Sequence, residues 1–155
     1  MSGAPVPEHQ SEPGGPPAPG LPPGHVFESF DLRTVEIPGA DWAMEMAITP
    51  LVVNSSGVLQ GGLMATLIDL VAGTALLRGK LASQRGTTSE MHVNFLAAAR
   101  VGPVRATAHI LRRGKRSAVI RVDVQDLGAQ DLHVATATLT FAVRPGEGSP
   151  DAGPS

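Results

Sequence analysis

The tightest constraint on this chain is a proline-free apolar run that opens on paired glycines and carries one acid. It lies within NSSGVLQGGLMATLIDLVAGTALLRG, residues 54–79. From Gly62 to Arg78 the apolar side chains fall on nearly every side of a helical projection. This predicts a helix of about 25 Å that is buried around most of its circumference. Gly79 is a natural stop, and Arg78 and Lys80 suit the negative end of the helix dipole. Asp69 is the one acid in the run, with Gly62, Thr66 and Gly73 on its face. Its carboxylate therefore stands in a stripe of small and polar residues that a ligand could approach. The plain alternative is a structural acid, paired with an arginine or capping a neighbouring backbone.

The start of the helix has its own chemistry. Gln60-Gly61-Gly62 places N–H groups without intrahelical partners at the positive end of the dipole. Such a site suits an anion, or a carbonyl oxygen that is gaining charge. Glycine lets a ligand come close. Paired glycines also open helices for packing reasons alone. Two glycines with an acid eight residues after the first, on an apolar helix, form a far more specific pattern.

At 155 residues the chain suits one domain, and with 3% aromatic residues its core must be aliphatic. It has no cysteine, which removes disulfides, thiolate metal sites and a thiol nucleophile. The N-terminus lacks a basic start followed by an apolar run, so a secretory signal is not expected. No membrane association is expected either. The default is a cytoplasmic protein. A net charge of −2 argues against a nucleic-acid binder. That value hides an asymmetry: residues 1–77 hold Arg33 as their single base, and residues 78–121 hold Glu90 as their single acid. The densest basic cluster is Arg112, Arg113, Lys115 and Arg116. It reads as a solvated face, or as a docking surface for a phosphorylated small molecule.

Residues 1–24 are more than half proline and glycine, and 145–155 are similar, so both are expected to be disordered tails around a domain at 25–144. Within the domain His25–Ile37 and Asp41–Thr49 read as strands, with Trp42, Met44, Met46 and Ile48 on one face. After the helix come Thr87–Ala97, Val104–Leu111, Ser117–Gln125 and Leu132–Val143. The first puts Met91, Val93 and Phe95 on one face, and the third puts Ala118, Ile120, Val122 and Val124 on one face. The order β-β-α-β-β-β-β predicts an α+β domain, one long helix wrapped by a curved antiparallel sheet. Such a sheet leaves edges and a face to cover, so a homodimer or homotetramer is expected.

Asn54, Gly57, Gln60-Gly61-Gly62, the helix LMATLID ending at Asp69, and RGTTSEMHVNFLAAA at 85–99 together resemble the PaaI-like hotdog-fold thioesterases over residues 45–143. The resemblance implies a hotdog fold and an acyl-CoA substrate. The Gly61 amide would polarise the thioester carbonyl, with Asn54 helping to orient it. Asp69, contributed by the opposite subunit, would activate water or act as nucleophile, and the Thr88 hydroxyl would help hold the water. Gly62, Leu63 and Thr66 would line the substrate, and Arg112, Arg113, Lys115 and Arg116 would lie near the coenzyme A phosphates. No cofactor or metal is implied. Gln60 departs from the family's usual histidine: it still donates a hydrogen bond but carries no charge and relays no proton. It leaves open a second reading, a non-catalytic module that binds acyl-CoA as a sensor. A third, a hotdog dehydratase, needs a histidine near the start of the helix, and none lies between His25 and His92.

Overall fold

The computed structural model describes residues 25–78 and 84–145. Of the tails expected at 1–24 and 145–155, Pro145 is instead the last residue of a strand, paired opposite Gln84; the rest of both, and Gly79 and Lys80 beyond the helix, lie outside the described residues. The elements are β1 (Leu32–Val35), β2 (Trp42–Met46), α1 (Gly61–Arg78), β3 (Gln84–Phe95), β4 (Val104–Arg113), β5 (Ser117–Asp126) and β6 (Leu132–Pro145), with 3₁₀ turns at Val26–Phe30 and Leu127–Ala129. All six strands form one antiparallel sheet in the order β1-β2-β4-β5-β6-β3. The helix therefore crosses one face of the sheet, leaving β2 and returning the chain to the far edge at β3. This is the α+β hotdog arrangement expected of the chain.

The start of the domain differs from expectation. His25–Ile37 is not one strand. Its first part turns as a 3₁₀ helix because the His25 Nδ1 accepts the Phe27 N–H at 3.2 Å. Phe27 and Phe30, one 3₁₀ turn apart, bring their rings to 5.8 Å. Only Leu32–Val35 then pairs with β2. On β2, Glu45 is buried, although alternation with Met44 and Met46 puts it on the opposite face. It is held there by Arg33, at 2.8 Å, and Arg105, at 2.6 Å.

The core forms where one stripe of α1 meets the sheet. Met64, Leu67, Ile68, Val71, Ala72, Ala75 and Leu76 are buried at i, i+3, i+4 and i+7 spacing. They pack on the inward residues of the central strands, among them Ala106, Ile120, Val122, Leu139 and Phe141. Close approach is needed at Gly86 in β3, where a Cβ would collide with Leu76. By length and hydropathy α1 could cross a membrane, yet here it packs along the sheet as the core helix. Its other side is less covered than the apolar projection implies. Leu63, Thr66, Asp69, Leu70 and Gly73 are half-buried and Leu77 is 55% exposed.

At the far end of β5 the inward alternation of Ala118, Ile120, Val122 and Val124 continues to a wholly buried acid, Asp126. Its Oδ2 accepts the N–H groups of Arg100 (2.8 Å) and Val101 (3.0 Å), and its Oδ1 accepts that of Gly102 (2.7 Å). Burial alone pushes this carboxyl up, but the backbone donors of Val101, Arg100, Gly102 and Ala129 outweigh it and hold the group below its ordinary 3.8. A depressed folded value means that the stabilisation is complete above the unfolded value and is lost as pH falls through the folded one. Asp126→Asn keeps one acceptor atom for these donors and is expected to lose about 3 kcal/mol of stability at pH 7. The gap to the unmutated protein should narrow below about pH 4. Urea midpoints of both proteins at neutral and acid pH measure the two effects.

Candidate active site

The segment before α1 is a small closed hairpin. Val53 and Leu59 form an isolated antiparallel bridge, and the Asn54 N–H reaches the Val58 carbonyl at 2.8 Å. Gly57 takes the left-handed conformation that closes the turn, at φ 68°. The Asn54 Oδ1 accepts the N–H groups of Ser56 (2.9 Å) and Val58 (3.3 Å), so the side-chain carbonyl is used inside the turn. Its amide nitrogen has no hydrogen-bond partner among the described residues and remains a donor for a ligand. The Gln60 carbonyl accepts from Leu63 and Met64, both at 3.0 Å, which makes Gln60 the N-cap; its side chain is exposed. Gly61 and Gly62 follow as the first two helical residues, and their N–H groups have no backbone acceptor among the described residues. Gly62 is open to solvent. Gly61 lies against the Phe95 ring, where an added Cβ would sit 3.4 Å from the Cζ.

Asp69 projects from the less covered side of α1. The Thr88 hydroxyl donates to its Oδ1 at 2.7 Å, and no cation pairs with it among the described residues. The arginine-paired structural acid is therefore not what is found: one oxygen is oriented by a hydroxyl and the other is available. Thr88 reaches this position because of a β-bulge. Between Thr88 and Glu90 the β3–β6 register slips by one residue. Counting alternation back from Met91, Val93 and Phe95 points Ser89 toward the helix; the bulge puts Thr88 there, opposite the buried Phe141. Of the other helix residues, the Thr66 hydroxyl bonds back to the Gly62 carbonyl at 3.0 Å, which keeps it on the helix surface. Leu63 is half-buried beside the helix start.

The basic cluster does not act as one group. A second bulge, between Ile110 and Arg112, turns Arg113 inward. Its guanidinium donates to the carbonyls of Leu76 (3.1 Å) and Ala75 (3.4 Å), where it caps the C-terminal end of α1. Arg112, Lys115 and Arg116 remain exposed around the β4–β5 turn. Arg113→Ala is expected to cost about 1 kcal/mol, visible as a lower melting temperature. Alanine at Arg112, Lys115 or Arg116 should leave the melting temperature within about a degree.

Sequence and structure comparisons place this chain in a family. Residues 56–132 match the model of the thioesterase superfamily. The chain is 35% identical over 81 residues to acyl-coenzyme A thioesterase 13 of Mus musculus, covering 52% of this chain and 57% of that protein. It is 29% identical over 109 residues to the medium/long-chain acyl-CoA thioesterase YigI of Escherichia coli, covering 61% and 69%. The chain thus spans little more than half the length of the mouse relative. Among solved structures, a Bacillus halodurans protein crystallised with CoA aligns with a TM-score of 0.61 and 31% identity over 66% of each chain. A thioesterase from Haemophilus influenzae aligns with a TM-score of 0.71 at 17% identity, over 78% of this chain and 83% of that one, a likeness of fold. With its fold, its helix start and these matches in agreement, the chain belongs to the hotdog-fold thioesterase superfamily, a family of thioester hydrolases.

Proposed function

We propose that this protein hydrolyses acyl-CoA thioesters to free acid and coenzyme A, in a site completed by two copies of the chain. One spacing carries the reading. Gly61 and Asp69 are eight residues apart on one straight element, which separates them by about 12 Å along the axis. A donor to the thioester oxygen and a base for the attacking water must lie within a few ångströms of one carbonyl group. A single chain holds both groups and cannot aim them at the same atom pair. A second copy can supply the missing half. The exposed edge of β3, with Met91 40% and Phe95 55% exposed, and the partly covered side of α1 support such an association.

In the proposed reaction the Gly61 N–H, backed by the α1 dipole, donates to the thioester oxygen, and the amide groups of Asn54 and Gln60 flank it. The partner's Asp69 takes a proton from water while the oxygen adds to the carbonyl carbon. The tetrahedral oxyanion is held by the Gly61 amide and collapses with cleavage of the C–S bond. The leaving thiolate takes up the proton. Within each chain Thr88 holds the Asp69 carboxylate in one orientation. No cofactor is needed, because the thioester is already activated and its thiolate leaves readily. Exposed Arg112, Lys115 and Arg116 meet the phosphates of coenzyme A, while Gly62, Leu63 and Thr66 face the substrate. The cytoplasm is the compartment assigned.

Two variants test the reading together. Asp69→Ala should lower thiol release from an acyl-CoA panel by on the order of 10³-fold. Gly61→Pro deletes the N–H at a position where proline suits the first helical turn, and should lower it by about 10²- to 10³-fold. Each variant alone should be nearly inactive, whereas mixed dimers of the two should regain one intact site. Mixed dimers as inactive as the parents would show that the site lies within one chain, and full activity of Asp69→Ala would sink the hydrolytic role of the acid.

A further inference from the structure

Among the described residues the mechanism leaves one wholly buried charge unused: Asp126, at the end of β5. We infer that Asp126 is a positioning residue for the Gly61 amide, acting through the loop between β3 and β4; the inference rests on the hydrolytic reading of that amide.

The route is short and made of hydrogen bonds. Asp126 gathers the N–H groups of Arg100, Val101 and Gly102 onto its two oxygens, at 2.7–3.0 Å. The residue before them, Ala99, is fully buried, and its carbonyl accepts the Leu59 N–H at 2.9 Å. Arg100 reaches across with its Nη1 to the Ser56 carbonyl, at 3.0 Å. Thus the loop that Asp126 fixes grips the hairpin before α1 at two points. The Gln60 N–H, bound to the Val52 carbonyl at 2.9 Å, closes that hairpin, and the next residue is Gly61. From the Asp126 carboxylate to the donor amide there are three rigid links and no long side chain except that of Arg100.

The charge matters because of what it holds. Consecutive N–H groups turned to one point repel each other unless an anion sits among them. A neutral amide at this position offers one acceptor atom and brings its own N–H groups toward the donors, so the loop must open. Opening moves Ala99, then Leu59, then the first turn of α1. The core stripe from Met64 to Leu76 is anchored separately on the sheet and stays in place. The displacement therefore concentrates at the helix start, where a shift of about 1 Å costs on the order of 10²-fold in rate.

The experiment compares the unmutated chain with Asp126→Asn, and with Arg100→Ala and Arg100→Lys as variants that leave the buried carboxylate in place. Hydrogen–deuterium exchange reads position directly. In Asp126→Asn the amides of residues 56–62 should exchange faster, while those of 67–76 should not change. Calorimetric titration with coenzyme A counts intact sites. Thiol release per titrated site should fall about 10- to 100-fold in kcat, with KM and coenzyme A affinity within about two-fold. Arg100→Ala should lose about five-fold in kcat, and Arg100→Lys should recover most of it. Unchanged exchange at 56–62 overturns the inference, as does faster exchange with an unchanged kcat per site. So does a loss of activity matched by an equal loss of titrated sites, which marks mere unfolding. If the unmutated protein releases no thiol from any acyl-CoA, it is the hydrolase reading that fails, and this is seen before any variant is made.

Discussion

An α-helix has a fixed rise, and that rigidity governs the whole site. The first turn of α1 presents N–H groups that the helix cannot use, and the third turn presents a carboxylate. Neither can be bent toward the other without breaking the core stripe that runs between them on the adjacent face. The stripe also fixes rotation. With Met64, Leu67, Ile68, Val71, Ala72, Ala75 and Leu76 committed to the sheet, Asp69 has to emerge on the flank that the sheet leaves open. Burying Asp69 deeper would have cost an unpaired charge, and exposing it fully would have dissolved its orientation in water. Half-burial with one hydroxyl donor lies between these limits.

The helix was legible as a proline-free apolar run opened by paired glycines, and the last four strands by their period-2 alternation and strand-favouring composition. What the pattern hid has specific causes. The apolar projection around α1 implied burial on most sides, yet Leu63, Leu70 and Leu77, at heptad spacing, form a second apolar line that is only partly covered among the described residues, with Leu63 and Leu70 half-buried and Leu77 exposed. Apolarity says that a surface avoids water; it does not say which chain covers it. At the N-terminus, a histidine nitrogen accepting a local N–H turned an apparent strand into a 3₁₀ helix, a choice made by one side chain.

The candidate site was legible in part. The glycines and Asp69 stood out by spacing, but two bulges decide which neighbours serve them, and bulges leave no mark in alternation. One brings Thr88 rather than Ser89 to the carboxylate; the other takes Arg113 from the basic cluster and spends it on the helix end. Asp126 did leave a signal. It occupies the next inward position after Ala118, Ile120, Val122 and Val124, and an acid at an inward position requires donors. Extending the alternation one step beyond the apolar run would have found it.

Strand β3 ties these parts together. It carries Thr88 to Asp69 near its middle and lays Phe95 against Gly61 at its end, so one strand touches both groups of the candidate site within the same chain. It is also the last strand of the sheet, with no strand paired along its outer side among the described residues. Any surface that pairs along this edge is therefore in register with the carboxylate and the helix start at once, because the spacing of both is set by the same backbone. A partner that docked elsewhere, on the polar face of the sheet where Thr136 donates to Asp123 at 2.8 Å, would reach neither group. In the proposed reading the edge would couple association to chemistry, because the strand at the end of the sheet is the one whose side chains contact both Asp69 and Gly61.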